Sequence, residues 1–396
     1  MLRDDAASLS GPGAVLATWL FDGRRWHRDA AVLVEAGHVR GIAPFAEVPD
    51  GWPRRRLPEG AVLAPGFIDV QVNGGGGVLL NDDPSPEGMR AIARAHRRYG
   101  VTGCLPTLIT DTRGNTRTAI ASARAAAGCP GVLGIHLEGP FISPARPGIH
   151  RPDLIVAPEP GDLDWLVDLG GAGRSLVTLA PERCPDGFVS RLAGAGVRIS
   201  AGHSEACAAT MTRAADDGLT GVTHLYNAMP PLAGRAPGIA GATLADPRMI
   251  AGIIVDGIHV DPVSVRAAFA AKGPAGMMLV TDAMPSVGST ETVFRLMGRT
   301  VTLRDGRLTG PDGTLAGAHL DMAAAVRNAV AMAGLPLADA LRSAALTPAE
   351  FLGLAPAHGT LTTGARADMV ALTAELEVIA TSILGEWEEA GPPAGS

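Results

Sequence analysis

From Pro65 onward the sequence repeats one rhythm: a short apolar run, then a longer Ala-, Arg- and Leu-rich run with helical spacing. Eight such pairs can be counted. The predicted strands are 67–73, 102–109, 132–138, 175–180, 197–203, 221–226, 250–256 and 277–282. Helical spacing is clearest over 86–99, 112–127, 162–169, 205–216, 262–271 and 321–333. Strands apolar along their whole length are buried on both faces, and helical connections make neighbours parallel. Eight units over roughly 250 residues or more predict an α/β fold, a closed (β/α)8 TIM-like barrel. An open doubly wound sheet is the alternative, but no GxGxxG opens a first helix.

The flanks have a different grain. Residues 14–64 alternate short β-like runs with turns, and the chain returns to that character from Ala357. Both ends together predict a small β-sandwich beside the barrel. The expected division is 1–64 for its N-terminal part, 65–355 for the barrel and 356–396 for its C-terminal part. Asp305-Gly306 between VTL and RLT signals a β-hairpin insertion over 293–316, after the eighth strand. The tail GPPAGS reads as disordered.

Charge narrows the function classes. The formal net charge is 33 − 40 = −7 with no basic block. That weighs against nucleic acid or an anionic membrane as the main partner, since both need clustered cations. An anionic small substrate needs only one or two local cations. The four cysteines (Cys104, Cys129, Cys184, Cys207) form no CxxC pair, which predicts reduced thiols and a cytoplasmic setting. No apolar stretch approaches the ~18 residues of a membrane span. The first residues are acidic and lack an apolar core, so no signal peptide is expected.

Four predicted strands end in an ionisable side chain: Glu138 after the third, His203 after the fifth, His224 after the sixth and Asp282 after the eighth. Taken singly, each has an ordinary explanation, a hydrogen-bonded histidine or a capping aspartate. Together they are different, because all carboxyl ends of a parallel barrel open on one face. One carboxylate and two imidazoles suit Zn²⁺ or Fe²⁺ and leave a place for water. Asp282 is then positioned to act as general base on that water and as acid to the leaving group.

With PGFIDVQVNGGGG (65–77), IHLEGP (135–140), GHS (202–204), THLYNAMPPL (223–232), DGIHVD (256–261), LVTDAM (279–284) and GTLAGAHLDM (313–322), the chain closely resembles the N-acetylglucosamine-6-phosphate deacetylases of the amidohydrolase superfamily. The resemblance runs from about Pro65 to Leu372 with the motifs in order. It implies Glu138, His203 and His224 as metal ligands and Asp282 as the catalytic aspartate. It implies His150 as a group polarising the acetamide carbonyl, and Asn227 and Ala228 as backbone contacts to substrate. Arg235 and His259 match phosphate-binding residues, one of them, Arg235, reaching across from a neighbouring subunit of a homodimer. Where many amidohydrolases carry His-x-His, this chain has Gln71-Val72-Asn73. That departure implies one divalent metal per subunit (zinc first, with iron, cobalt or manganese open), with Gln71 and Asn73 bonding metal-held waters.

His136 lies two residues before Glu138, on the same face but one layer deeper, and reads as a barrel-interior residue. Gly74–Gly77 reads as a flexible loop beside the site, because no Gly-Lys-Ser/Thr follows it. His319 stands where related sequences often carry a small polar residue. His96 and His358 read as surface positions. The expected activity is hydrolysis of the acetamide of N-acetyl-D-glucosamine 6-phosphate in amino-sugar catabolism. The rivals are another amidohydrolase acting on cyclic amides or dipeptides, and a sugar-phosphate sensor without turnover.

Overall fold

The computed structural model describes residues 11–391. The expected character of the first ten residues, and of the tail from residue 392 on, lies outside them.

Eight parallel strands form the barrel: β1 (Phe67–Val72), β2 (Val101–Ile109), β3 (Gly134–Glu138), β4 (Arg174–Leu179), β5 (Arg198–Ala201), β6 (Gly221–Val222), β7 (Ile250–Ile253) and β8 (Met277–Leu279). Each pairs in parallel with the next. The seam between β8 and β1 is closed by a bridge of Val72 to Ala283 and by the Asp282 N–H donating to the Gln71 carbonyl at 3.0 Å. β1, β2 and β3 are buried along their whole length, as an apolar run without alternation requires. Helices are started by side-chain caps: Ser85, Thr112, Asp261 and Asp321 each accept from an N–H of the first turn.

The later strands are shorter than their apolar runs. β6 is two residues long where six were expected, because His224 takes φ +33° and the chain turns away. Four short helices carry no strong sequence signal: Phe188–Gly194, Gly238–Ala245, Leu337–Ala344 and Leu346–Leu352.

The two chain ends build one small β-sandwich from a continuous hydrogen-bonded path. Glu386–Glu389, Val378–Ile383 and Met369–Leu372 lead through Val62–Pro65 to Gly13–Phe21, Trp26–Glu35 and His38–Pro44. Alternation decides what each face meets. Val15, Ala17, Val32, Val34, Leu63, Met369 and Ala371 share the sandwich core, whereas Val62, Ala64, Val370 and Leu372 point into the barrel's hydrophobic mass. The insertion is a three-stranded antiparallel sheet (Val293–Leu296, Arg299–Arg304, Arg307–Thr309), with a second reversal at Met297-Gly298 beside the expected one at Asp305-Gly306.

Three expectations need correction. His96 is fully buried, with Nε2 2.9 Å from the Gly74 carbonyl. It lies on the helix face of Met89, Ile92 and Ala93, and burial pushes its pKa down to about 4, so it is neutral. His358 is only 14% exposed and faces Asp368 at 3.4 Å. Gly74–Gly75 is not a loose loop but a buried strand paired with Val78–Leu79. A Cβ on Gly75 would stand 2.8 Å from His96 Nε2, so the glycine is what admits the imidazole.

Candidate active site

Glu138, His203, His224 and Asp282 lie at the carboxyl ends of, or just beyond, β3, β5, β6 and β8, and all four line one cavity of about 390 Å³. Asn73, His150, Asn227, Ala228 and His259 line it too. Arg235 does not; it sits on an exposed stretch of the loop after His224. Three of the four strand-end residues have left-handed backbone: His203 at φ +49°, His224 at +33° and Asp282 at +52°. Non-glycine residues there cost on the order of 1–3 kcal/mol each, and such strain clusters where side chains must be aimed.

The tightest group is a triangle. His224 Nε2 is 2.9 Å from Glu138 Oε1, His203 Nε2 is 3.1 Å from the same oxygen, and the two imidazole nitrogens are 3.0 Å apart. The three residues are 2–5% exposed. His203 Nδ1 lies 2.8 Å from the Arg146 carbonyl, which can only accept, so that nitrogen carries the proton. With its proton on Nδ1, His203 would aim the Nε2 lone pair at a carboxylate oxygen. Such an arrangement requires a cation at its centre, either an added proton or a metal. Tetrahedral zinc with bonds of about 2.0–2.1 Å spaces its ligand atoms about 3.4 Å apart, so the donor set fits a divalent ion. Donor atoms of Glu138, His150 and His203 also lie within 4.8 Å of one another. His224 fits better than His150, because its Nε2 meets both other donors directly while His150 Nδ1 is engaged by Thr110 at 2.7 Å.

Charge follows this geometry. Burial pushes the Glu138 carboxyl up, but with an added proton standing in for that cation, hydrogen bonds from the His203 and His224 imidazoles outweigh it and hold it well below the usual range. Burial pushes His224 down, and Glu138 reverses that and raises it. Asp282 is raised to about 6, first by burial and then by the Glu138 charge, partly offset by His224, His259 and Asn73. A carboxyl that titrates just below neutrality suits proton transfer in both directions. Burial and then His203 press His150 down to about 3, so it stands as a neutral imidazole.

The Gln71 and Asn73 amides sit beneath these groups. Asn73 Nδ2 donates to Asp282 Oδ1 at 2.6 Å, and Gln71 Nε2 donates to the same oxygen at 3.2 Å and to Glu138 Oε2 at 3.2 Å. Asn73 Oδ1 and His224 Nδ1 are buried without a hydrogen-bond partner among the described residues. His136 is where its spacing put it, in the barrel interior, with Nε2 2.7 Å from Thr178 Oγ1 and Nδ1 3.2 Å from Thr107 Oγ1. His319 lies off the cavity against Ser286 Oγ at 3.0 Å.

Some contributors were missed. Asp256 accepts from His259 Nδ1 at 2.6 Å and from the N–H groups of Ile258 and His259 at 2.8 Å, leaving His259 Nε2 free for the cavity. Burial raises the Asp256 carboxyl, yet those bonds and the His259 charge bring it below its ordinary value. The motif DGIHVD held this pair, but nothing in it distinguished a turn aspartate from a partner. Leu296, Thr314 and Leu315 also line the cavity, so the insertion forms part of its wall.

A parallel barrel with a Glu/His/His cluster and an adjacent aspartate at its carboxyl-end mouth defines the class of metal-dependent hydrolases. Residues 62–388 match the amidohydrolase family. The chain belongs to that family. It is 42% identical to N-acetylgalactosamine-6-phosphate deacetylase of Shewanella sp. (strain ANA-3), over 90% of this chain and 91% of that one. It is 40% identical to N-acetylglucosamine-6-phosphate deacetylase of Bos taurus, over 96% and 99%. The solved N-acetylglucosamine-6-phosphate deacetylase of Pasteurella multocida superposes with a TM-score of 0.92 at 33% identity, covering 96% of this chain and 100% of that one.

Proposed function

We propose that the chain hydrolyses the acetamide of N-acetyl-D-glucosamine 6-phosphate to acetate and D-glucosamine 6-phosphate, in amino-sugar catabolism. The observation that carries this reading is the Glu138–His203–His224 triangle with Asp282 beside it, in a chain similar along its length to amino-sugar-phosphate deacetylases.

Glu138, His203 and His224 would hold one divalent ion per subunit, zinc by donor type, which when bound would acidify a water and polarise the carbonyl. Asp282 takes the proton of the attacking water and returns it to the departing amine, which is otherwise a very poor leaving group. Asn73 and Gln71 hold the Asp282 carboxylate in place, and the spare Asn73 Oδ1 accepts from solvent in the site. His150 donates to the acetamide oxygen. Asn227 and Ala228 contact the sugar through their backbone. His259, steadied by Asp256, and Arg235 of a neighbouring subunit in a homodimer grip the phosphate and fix the sugar's orientation. The setting proposed is cytoplasmic. Among the described residues no helix is long and apolar enough to cross a membrane.

The galactosamine epimer is a second substrate reading, favoured by the 42% identity to a deacetylase of that name. Acetate release should be measured on both 6-phosphorylated epimers and on unphosphorylated N-acetylglucosamine. Fast release from the glucosamine ester supports the reading. Preference for the galactosamine ester moves the assignment to that epimer, and equal release without phosphate removes the phosphate grip.

A further inference from the structure

We infer that Thr110 is a positioning residue that fixes the tautomer of His150, and so makes Nε2 a hydrogen-bond donor toward the acetamide oxygen. This inference rests on the role proposed for His150. Thr110 follows directly on β2, and its side chain is buried beneath the cavity wall. Its Oγ1 is 2.7 Å from His150 Nδ1, and its backbone N–H points at the same nitrogen at 3.4 Å. An N–H can only donate, so Nδ1 must present its lone pair. The hydroxyl's other neighbour, the Glu138 carbonyl, is further away at 3.4 Å, which leaves Nδ1 as its nearer acceptor. With Nδ1 accepting twice, the single proton of neutral His150 resides on Nε2.

The neighbouring chain keeps room for this contact. A Cβ at Gly139 would stand 2.2 Å from Thr110 Oγ1, so any larger residue there would displace the hydroxyl from His150. The opposite tautomer would aim a lone pair at the carbonyl oxygen, repelling the charge that develops on it. Thr110 touches neither substrate nor metal ligand side chain in this role; it acts through His150.

The test is a small cycle with the metal-loaded enzyme: Thr110→Val, Thr110→Ser, His150→Asn and the Thr110→Val/His150→Asn double variant. Thr110→Val should keep full metal content and a KM within about twofold while kcat falls about tenfold, the worth of one lost hydrogen bond. Thr110→Ser should restore most of kcat. In the His150→Asn background the valine should cost nothing more. Wild-type kcat in Thr110→Val, or a loss that adds in full to that of His150→Asn, overturns the inference. Nitrogen NMR of the His150 imidazole, assigned by its disappearance in His150→Asn, reads the tautomer independently of turnover. A proton on Nδ1 in the wild type overturns the inference even if the enzyme is active. A proton on Nε2 in a protein that releases no acetate upholds the tautomer and contradicts the functional reading instead.

Discussion

Asn73 Nδ2 and Asp282 Oδ1 are 2.6 Å apart, a hydrogen bond joining the end of the first barrel strand to the end of the eighth. It holds the one carboxylate of the site that has no histidine directly on it. Replacing Asp282 with Asn preserves size and should preserve metal content, because Glu138, His203 and His224 are untouched. Turnover should fall by about 10²–10⁴-fold, the range for loss of a general base. Metal analysis alongside acetate release checks both halves.

The pH dependence follows from the same carboxyl. Asp282 is raised to about 6, and its ionised form is the proposed base. Activity should therefore be lost as pH falls through that value, about tenfold per pH unit below it. A bound cation favours the ionised form, so the acid limb of kcat/KM should lie at or below about 6. Asn73→Ala removes a donor to that form and should shift the limb to higher pH. A limb that stayed fixed in this variant would count against Asp282 as the titrating group.

How much of this was legible depended on how local each signal is. Glu138, His203, His224 and Asp282 could be found because each ends an apolar run, and a barrel gathers such ends. His96 could have been placed correctly, since Met89, Ile92, Ala93 and His96 keep helical spacing; its Arg-rich neighbours obscured the pattern. The helices over 238–245 and 346–352 were not legible, because GIAGATLA carries two glycines and shows no polar face, and LTPAEFL carries a proline near its start. Thr110 and Asp256 escaped for another reason. Thr110 acts on a partner forty residues away that only the fold brings to it, and Asp256, though three residues from His259, looks in sequence like any turn aspartate.

Asp256→Asn should loosen His259 by weakening a 2.6 Å charge-assisted bond. The expected result is a KM for the 6-phosphorylated sugar raised about tenfold or more, with kcat nearly unchanged. Arg235→Ala should act in the same direction. Steady-state kinetics on phosphorylated and unphosphorylated sugars separate this from a general defect, since only the phosphorylated substrate should lose affinity.

Asp69 offers a stability test on a group the proposed chemistry does not use. It is fully buried, accepts from Thr281 Oγ1 at 2.5 Å, and burial raises its pKa to about 7 from an ordinary 3.8. A carboxyl raised on folding favours the native state below 3.8, and that contribution is lost as pH rises toward about 7. The slope is about 1.4 kcal/mol per pH unit in that window. Asp69→Asn cannot ionise, so its stability relative to wild type should rise between pH 4 and 7 and then level. Urea unfolding midpoints at several pH values will show this rise or its absence.

On the proposed reading, one divalent ion held by Glu138, His203 and His224 makes this barrel an amide hydrolase for a sugar phosphate. Acetate release from N-acetyl-D-glucosamine 6-phosphate should be followed in protein stripped by chelator, then titrated with zinc. Activity should vanish on stripping and return in proportion to zinc, saturating near one ion per chain, and Glu138→Gln should neither bind nor respond. Full acetate release by the stripped protein, or by Glu138→Gln, would contradict the account.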